Sequence, residues 1–135
     1  MDSEKTLLLP YRPCVGIMLV NQDNKIFAGQ RIDNNANAWQ MPQGGIDDKE
    51  EPLIAAFREL EEETSVTKKS VTHIDTMDEW IPYDLPLNLV PKLWNGKFRG
   101  QIQKWFLLYL VLPFVPSDTK HGITLLLTHE EPSHL

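Results

Sequence analysis

Between Asp47 and Glu63 the chain sets eight acids against two bases, and this one segment carries the whole formal net charge of −6. Elsewhere eleven acids balance eleven bases. Carboxylates three and four residues apart on a helix repel one another, so such a block must either lie along a solvated surface or surround a cation. Its apolar residues decide how it folds. Leu53, Phe57 and Leu60 recur at helical spacing and Pro52 suits a first turn, which predicts a helix over residues 52–64. At about 100° per residue, Glu59, Glu62 and Glu63 share a face apart from the oily one.

The flanking segments read as a sheet for that helix to cover. Residues 14–20, Cys-Val-Gly-Ile-Met-Leu-Val, form a buried strand, Asn21 to Asn24 a turn, and Ile26-Phe27-Ala28 the start of a return strand. Asp33 to Asn37 is loop-like, and Trp39 to Gly45 is extended and breaks at its paired glycines. Val71 to Trp80 forms another strand, and Tyr83 to Gly100, with Pro86, Pro91 and Gly96, a long loop. Residues 102–112 give the clearest strand of the second half. Strands, a glycine turn, one helix and more strands make an α+β or mixed-sheet α/β protein, without the βαβ period of a doubly wound fold.

A length of 135 residues and the absence of a linker predict one domain, residues 1–135. No run of 18 apolar residues occurs, so no membrane span is expected. The start lacks the pattern of a signal peptide. A single cysteine, Cys14, excludes an internal disulfide and suits a reducing interior; the cytoplasm is the expected location.

Glutamates on successive helical turns can converge on one ion, and a hard divalent cation such as Mg²⁺ favours carboxylate oxygens while keeping waters and substrate phosphates. Gly44 lets a backbone turn approach an ion or phosphate. Arg58 and Glu50 flank the face and are placed to tie loop to helix. A solvated acidic helix balanced by Lys49, Lys68 and Lys69 answers the same charges.

The spacing separates the two. Gly44, Glu50, Arg58-Glu59-Leu60, Glu62-Glu63 and Ser65-Val66 stand five, seven, one and one residues apart. This resembles the Nudix box, with one departure: Ser65 stands where the family has glycine. The resemblance implies an α/β/α sandwich around a mixed sheet and a Mg²⁺-dependent hydrolase, with Mn²⁺ or another divalent cation as a substitute. Gly44, Glu59, Glu62 and Glu63 would hold metal, Glu62 is the candidate general base, and Arg58 would orient the glutamates.

Tyr11-Arg12-Pro13, Trp39 to Gly45 and Gln103 to Leu107 look like the bacterial RNA pyrophosphohydrolase branch, which includes dinucleoside polyphosphate hydrolases. The implied reaction removes pyrophosphate from RNA 5′ triphosphate ends, or cleaves dinucleoside polyphosphates. Arg12, Arg31 and Lys104 match family positions near the substrate, where a polyphosphate needs cations; for each, a surface salt bridge serves equally. Gln43 and Tyr83 complete the substrate-binding set. Tyr83, Trp80 and Trp105 have rings that can stack on a base or pack in a core. Residues 92–100 mix three bases with two aromatics and suit either an RNA backbone or solvent.

The resemblance ends near Leu112. Residues 111–135 form a divergent tail that lacks the usual C-terminal helix, as a reading-frame shift or altered terminus would produce. Three of the four histidines lie there (His121, His129 and His134), at no ligand spacing. A truncated, catalytically weak protein that binds metal or nucleotide is therefore the alternative.

Overall fold

The computed structural model describes the backbone of residues 3–31, 40–111, 119–120 and 123–128, and the side chains of residues 4–29 and 40–111. The predicted Asp33–Asn37 loop, Trp39 and the three tail histidines lie outside these residues.

After one helical turn, α1 (Ser3–Thr6), strand β1 runs over Tyr11–Val20 with Val15, Ile17 and Leu19 fully buried, the alternation of a strand with one face on a core. Asn21 turns the chain by accepting the Asp23 and Lys25 N–H groups at 2.9 and 3.0 Å. Strand β2 (Ile26–Arg31) then returns antiparallel, making the predicted hairpin. A short strand, β3 (Gln43–Gly45), also pairs with β1, ahead of β2.

Helix α2 (Pro52–Thr64) has the predicted bounds, with Pro52 in its first turn. Ala55, Ala56 and Leu60 are buried against Val15, Ile17, Phe106 and Leu108, and Leu53 and Phe57 pack at the margin. Small residues facing the sheet bring the helix close, and each large apolar side chain buried there contributes roughly 1.5–3 kcal/mol. The helix ends at Ser65, whose φ of 68° is left-handed. That is the conformation glycine adopts freely and serine adopts at a cost. The buried Thr64 hydroxyl holds the turn by donating to the Leu60 carbonyl at 2.7 Å and accepting the Val66 N–H at 3.1 Å.

The remaining strands are β4 (Val71–Thr76), β5 (Ile81–Asp84), β6 (Gly100–Leu110), β7 (Thr119–Lys120) and β8 (Ile123–Thr128). β6 runs parallel to β1 from Tyr11↔Gly100 to Val20↔Tyr109, and the other pairings are antiparallel. The sheet order is β4-β6-β1-β2-β8-β7, with β3 on β1 and β5 on β6. This is a mixed sheet with a helix packed on it. Among the described residues no second long helix covers the opposite face, and no helix is long and apolar enough to cross a membrane.

Three sequence expectations change. The strand expected over Val71–Trp80 ends at Thr76, and a second strand, β5, begins after a bend. The loop expected from Tyr83 starts after Asp84, because residues 81–84 find their partners at 100–103, too far along the chain for local composition to reveal. Gly44 and Gly45, expected as a break after the extended piece, are the last two residues of β3 itself, paired with Val15 and Cys14. In the tail, β8 pairs with β2 from Ile26↔Thr128 to Arg31↔Ile123.

Candidate functional site

The site assembles where β3 meets α2. Glu50 closes a tight turn: its N–H donates to the Asp47 carbonyl at 3.0 Å and its carboxylate accepts the Asp47 N–H at 2.9 Å. Arg58, two turns into the helix, grips that carboxylate with two parallel bonds, Nε at 2.8 Å and Nη2 at 2.9 Å. Nη2 also donates to the Gly45 carbonyl at 2.8 Å, so one guanidinium locks loop, strand and helix together. The loop-to-helix ion pair expected from the sequence is present. Hydrogen bonding from Arg58 holds Glu50 down at about 2, and Arg58 itself is raised, first by Glu50.

The third nitrogen, Nη1, donates to Glu59 at 2.9 Å and to Glu62 at 3.3 Å. Burial raises the Glu59 carboxyl against the opposing pull of Arg58. Burial, then the Glu59 charge, pushes Glu63 up to about 7, although the Gln43 backbone N–H favours its ionised form. The Glu62 side chain is 56% exposed against 14% for Glu59. A β-carbon on Gly44 would fall on the Glu59 carboxylate, which explains the missing side chain. Among the described residues no three His, Cys, Asp or Glu side chains already stand at ligand spacing, and Arg58 lies against both Glu59 and Glu62.

Could this set hold a divalent cation? Its donors are all oxygens, the preference of Mg²⁺. Glu59 and Glu63 are partly buried and repel one another, and the glycine at 44 lets backbone and carboxylate meet. The residues fit such an ion.

Arg12 belongs to the same corner. Its guanidinium lies where a β-carbon on Gly45 would point, 3.3 Å from Cys14 Sγ and over the Trp94 ring at 5.1 Å. Tyr83 is in β5, and the register Tyr83↔Gln101 and Gln101↔Arg12 puts it two strands from Arg12, about 10 Å away. It is 57% exposed and lines a cavity of about 390 Å³ with Met18, Met41, Ile81 and Leu107. Lys104 donates to the Asp78 carbonyl at 3.1 Å and lies over Trp80 at 5.7 Å, so its contacts are away from the glutamates. Arg31 ends β2, and its side chain lies outside the described residues. In the 92–100 loop, Arg99 is bound to Asp84 at 2.7 Å and covers Tyr11, and Trp94 meets Phe98 edge to face.

Sequence reasoning missed Trp94 as a partner of Arg12 and Gln103 as a partner of Gln43. The nearest signal was polar residues inside an otherwise apolar strand, at 101, 103 and 104.

A sequence model of the NUDIX domain matches residues 10–130. The chain belongs to the Nudix family. The match continues beyond Leu112, where the motif resemblance ended. An RNA pyrophosphohydrolase of Roseobacter denitrificans is 56% identical over 108 residues, covering 80% of this chain and 68% of that protein. One from Cereibacter sphaeroides is 57% identical over 101 residues, covering 75% of this chain and 62% of that protein. The chain thus spans about two thirds of the length of these relatives. Among solved structures, the dihydroneopterin triphosphate pyrophosphohydrolase of E. coli superposes with a TM-score of 0.70 at 21% identity, over 89% of this chain and 83% of that one. This shows the shared Nudix fold.

Proposed function

We propose that this chain is a Mg²⁺-dependent pyrophosphohydrolase that removes pyrophosphate from the 5′ triphosphate end of RNA. The reading rests on one observation above all. The box glutamates, gathered on one helix face and clamped by Arg58, stand beside a glycine strand in a chain 56% identical to a protein named RNA pyrophosphohydrolase. The lone buried Cys14 suits a reducing compartment, and we assign the protein to the cytoplasm.

Glu59, Glu62, Glu63 and the Gly44 peptide would hold the ion. Bound there, Mg²⁺ or Mn²⁺ supplies charge neutralisation at the phosphate oxygens and a more acidic water. Arg58 keeps the glutamates in position by fixing the helix to the Glu50 turn. Glu62, the more exposed of the two carboxylates that Arg58 contacts on the face, takes the proton of the attacking water. Arg12, Gln43 and Arg31 offer donors to the polyphosphate, and Lys104, turned to Asp78 and Trp80, serves it only by leaving those contacts. Tyr83 and its apolar cavity take the terminal nucleoside, whose ring needs a flat, greasy wall.

The test measures pyrophosphate release from triphosphorylated RNA and, in parallel, hydrolysis of diadenosine tetraphosphate, with and without Mg²⁺. Release from RNA that disappears in Glu59→Gln and Glu63→Gln, with folding intact, is the expected result. Preference for the dinucleotide moves the substrate to the other members of the branch. No turnover of either substrate leaves a nucleotide- or metal-binding protein and overturns the enzymatic reading.

A further inference from the structure

The sheet face opposite α2 carries a directed chain of side-chain hydrogen bonds. Trp105 of β6 lies across Gly16 of β1, where a β-carbon would come within 2.5 Å of the indole ring. Its Nε1 donates to Gln103 Oε1 at 3.0 Å. Gln103 Nε2 donates to Gln101 Oε1 at 2.9 Å and, over β1, to Gln43 Oε1 at 3.2 Å. Gln43 Nε2 donates to Gln40 Oε1 at 3.3 Å.

The sense of this chain follows from chemistry. An indole N–H can only donate, so Gln103 must turn its oxygen toward Trp105 and its nitrogen the other way. Gln103 is 6% exposed, and reversing it would face N–H against N–H in a buried setting. Gln43 is thereby made to present its oxygen inward. Gln40 and Gln101 end the chain with their oxygens engaged, and Gln43, in the middle of it, gives one amide N–H to Gln40 and keeps the other to offer.

We infer that Trp105 and Gln103 are positioning residues that hold the Gln43 amide nitrogen toward a non-bridging phosphate oxygen of the substrate. The inference rests on the pyrophosphohydrolase reading for the identity of that oxygen. Location supports it. Gln43 precedes Gly44, whose backbone meets Glu59, and it shares a face of β3 with Gly45, over which the Arg12 guanidinium lies. A donor fixed beside a guanidinium suits an anion with several acceptor oxygens and repels a cation. A freely rotating amide would serve either.

Two substitutions address the relay without touching Gln43. Trp105→Phe keeps a ring against Gly16 and removes the N–H. Gln103→Glu keeps the shape and the bond from Trp105 but has only acceptors, so Gln43 must turn its nitrogen inward and its oxygen toward the substrate. Tripolyphosphate with Mg²⁺ is titrated into the full chain, following the Gln43 side-chain amide and the Trp105 indole by ¹⁵N NMR, with melting curves alongside. We expect the Gln43 amide protons to shift on binding. Each variant should weaken Kd about tenfold, the factor carried by one well-aligned hydrogen bond to an anion. Gln103→Glu should do so with the Trp105 indole signal retained. A Gln43 amide that does not respond overturns the inference, as does wild-type affinity in both variants while Gln43→Glu binds weakly. If tripolyphosphate binds through Gln43 but RNA yields no pyrophosphate, the enzymatic reading fails and the relay stands.

Discussion

Arg58→Lys isolates the clamp that makes the site. Arginine reaches Glu50 twice, the Gly45 carbonyl, Glu59 and Glu62 from one planar group. Lysine has one ammonium on a flexible stem and can keep one or two of these partners. Buried charge-assisted hydrogen bonds contribute about 1.5–3 kcal/mol each. With Arg58 27% exposed and Glu50 13% exposed, solvent screens part of that. Losing one arm of the Glu50 pair and the Gly45 bond should then cost roughly 2–4 kcal/mol. For a chain of 135 residues that lowers Tm by roughly 7–14 °C. The assay is thermal unfolding by circular dichroism in metal-free buffer at pH 7, repeated at lower pH. Glu50 titrates at about 2 in the folded chain, below its ordinary value near 4.5. Its contribution is therefore complete above about pH 4.5 and is lost as pH falls toward 2, so the gap between wild type and variant should close over that window. A Tm within about 2 °C of wild type at pH 7, the range of an exposed ion pair, would refute the claim that this guanidinium holds loop, strand and helix together.

The other predictions concern the carboxylates, the glycine and the cavity. Burial raises Glu63 to about 7, so its ionised form opposes folding when no metal is present. In metal-free buffer Glu63→Gln should melt several degrees above wild type at pH 8. The difference should vanish below the unfolded value near 4.5, where both side chains are neutral; equal melting at pH 8 contradicts the buried-charge account. Gly44→Ala puts a methyl group where the Glu59 carboxylate lies, and a displacement near 1 Å should reduce kcat roughly 100-fold while the fold persists. Unchanged kcat would show that Glu59 need not touch this strand. Tyr83→Ala removes an exposed ring from the cavity wall and should raise KM for triphosphorylated RNA about tenfold with little change in kcat. An unchanged KM would remove Tyr83 from the substrate site.

Much of this site is local and therefore readable. Helix periodicity, the Pro52 start and the spacing of Glu50, Arg58, Glu59, Glu62 and Glu63 all operate within twenty residues, where geometry follows from the α-helix itself. The Glu50–Arg58 pair bridges eight residues and could be anticipated. The strands expected at 14–20 and 102–112, found as Tyr11–Val20 and Gly100–Leu110, announce themselves by apolar, β-branched and aromatic content. Three features were hidden because their causes are distant in sequence. Gly44 and Gly45 look like a turn until β1 supplies hydrogen-bonding partners and Glu59 and Arg12 occupy the spaces their side chains would fill. Tyr83 looks like loop until residues 100–103 pair with it. Gln103 looks like an odd polar residue in a strand until Gln43, sixty positions away, accepts its N–H.

The amino-acid order alone determined the acidic helix, its two faces and the kind of ion those oxygens favour, since each depends on contacts within a few turns of one element. The tertiary structure decided which carboxylates are buried and raised, that one guanidinium contacts Glu50, Glu59 and Glu62 together, and that a row of glutamines on the far face is oriented by a tryptophan. These depend on which strands lie side by side. Pairing is selected by burial and hydrogen bonding summed over the whole sheet, and no local stretch of sequence contains that sum.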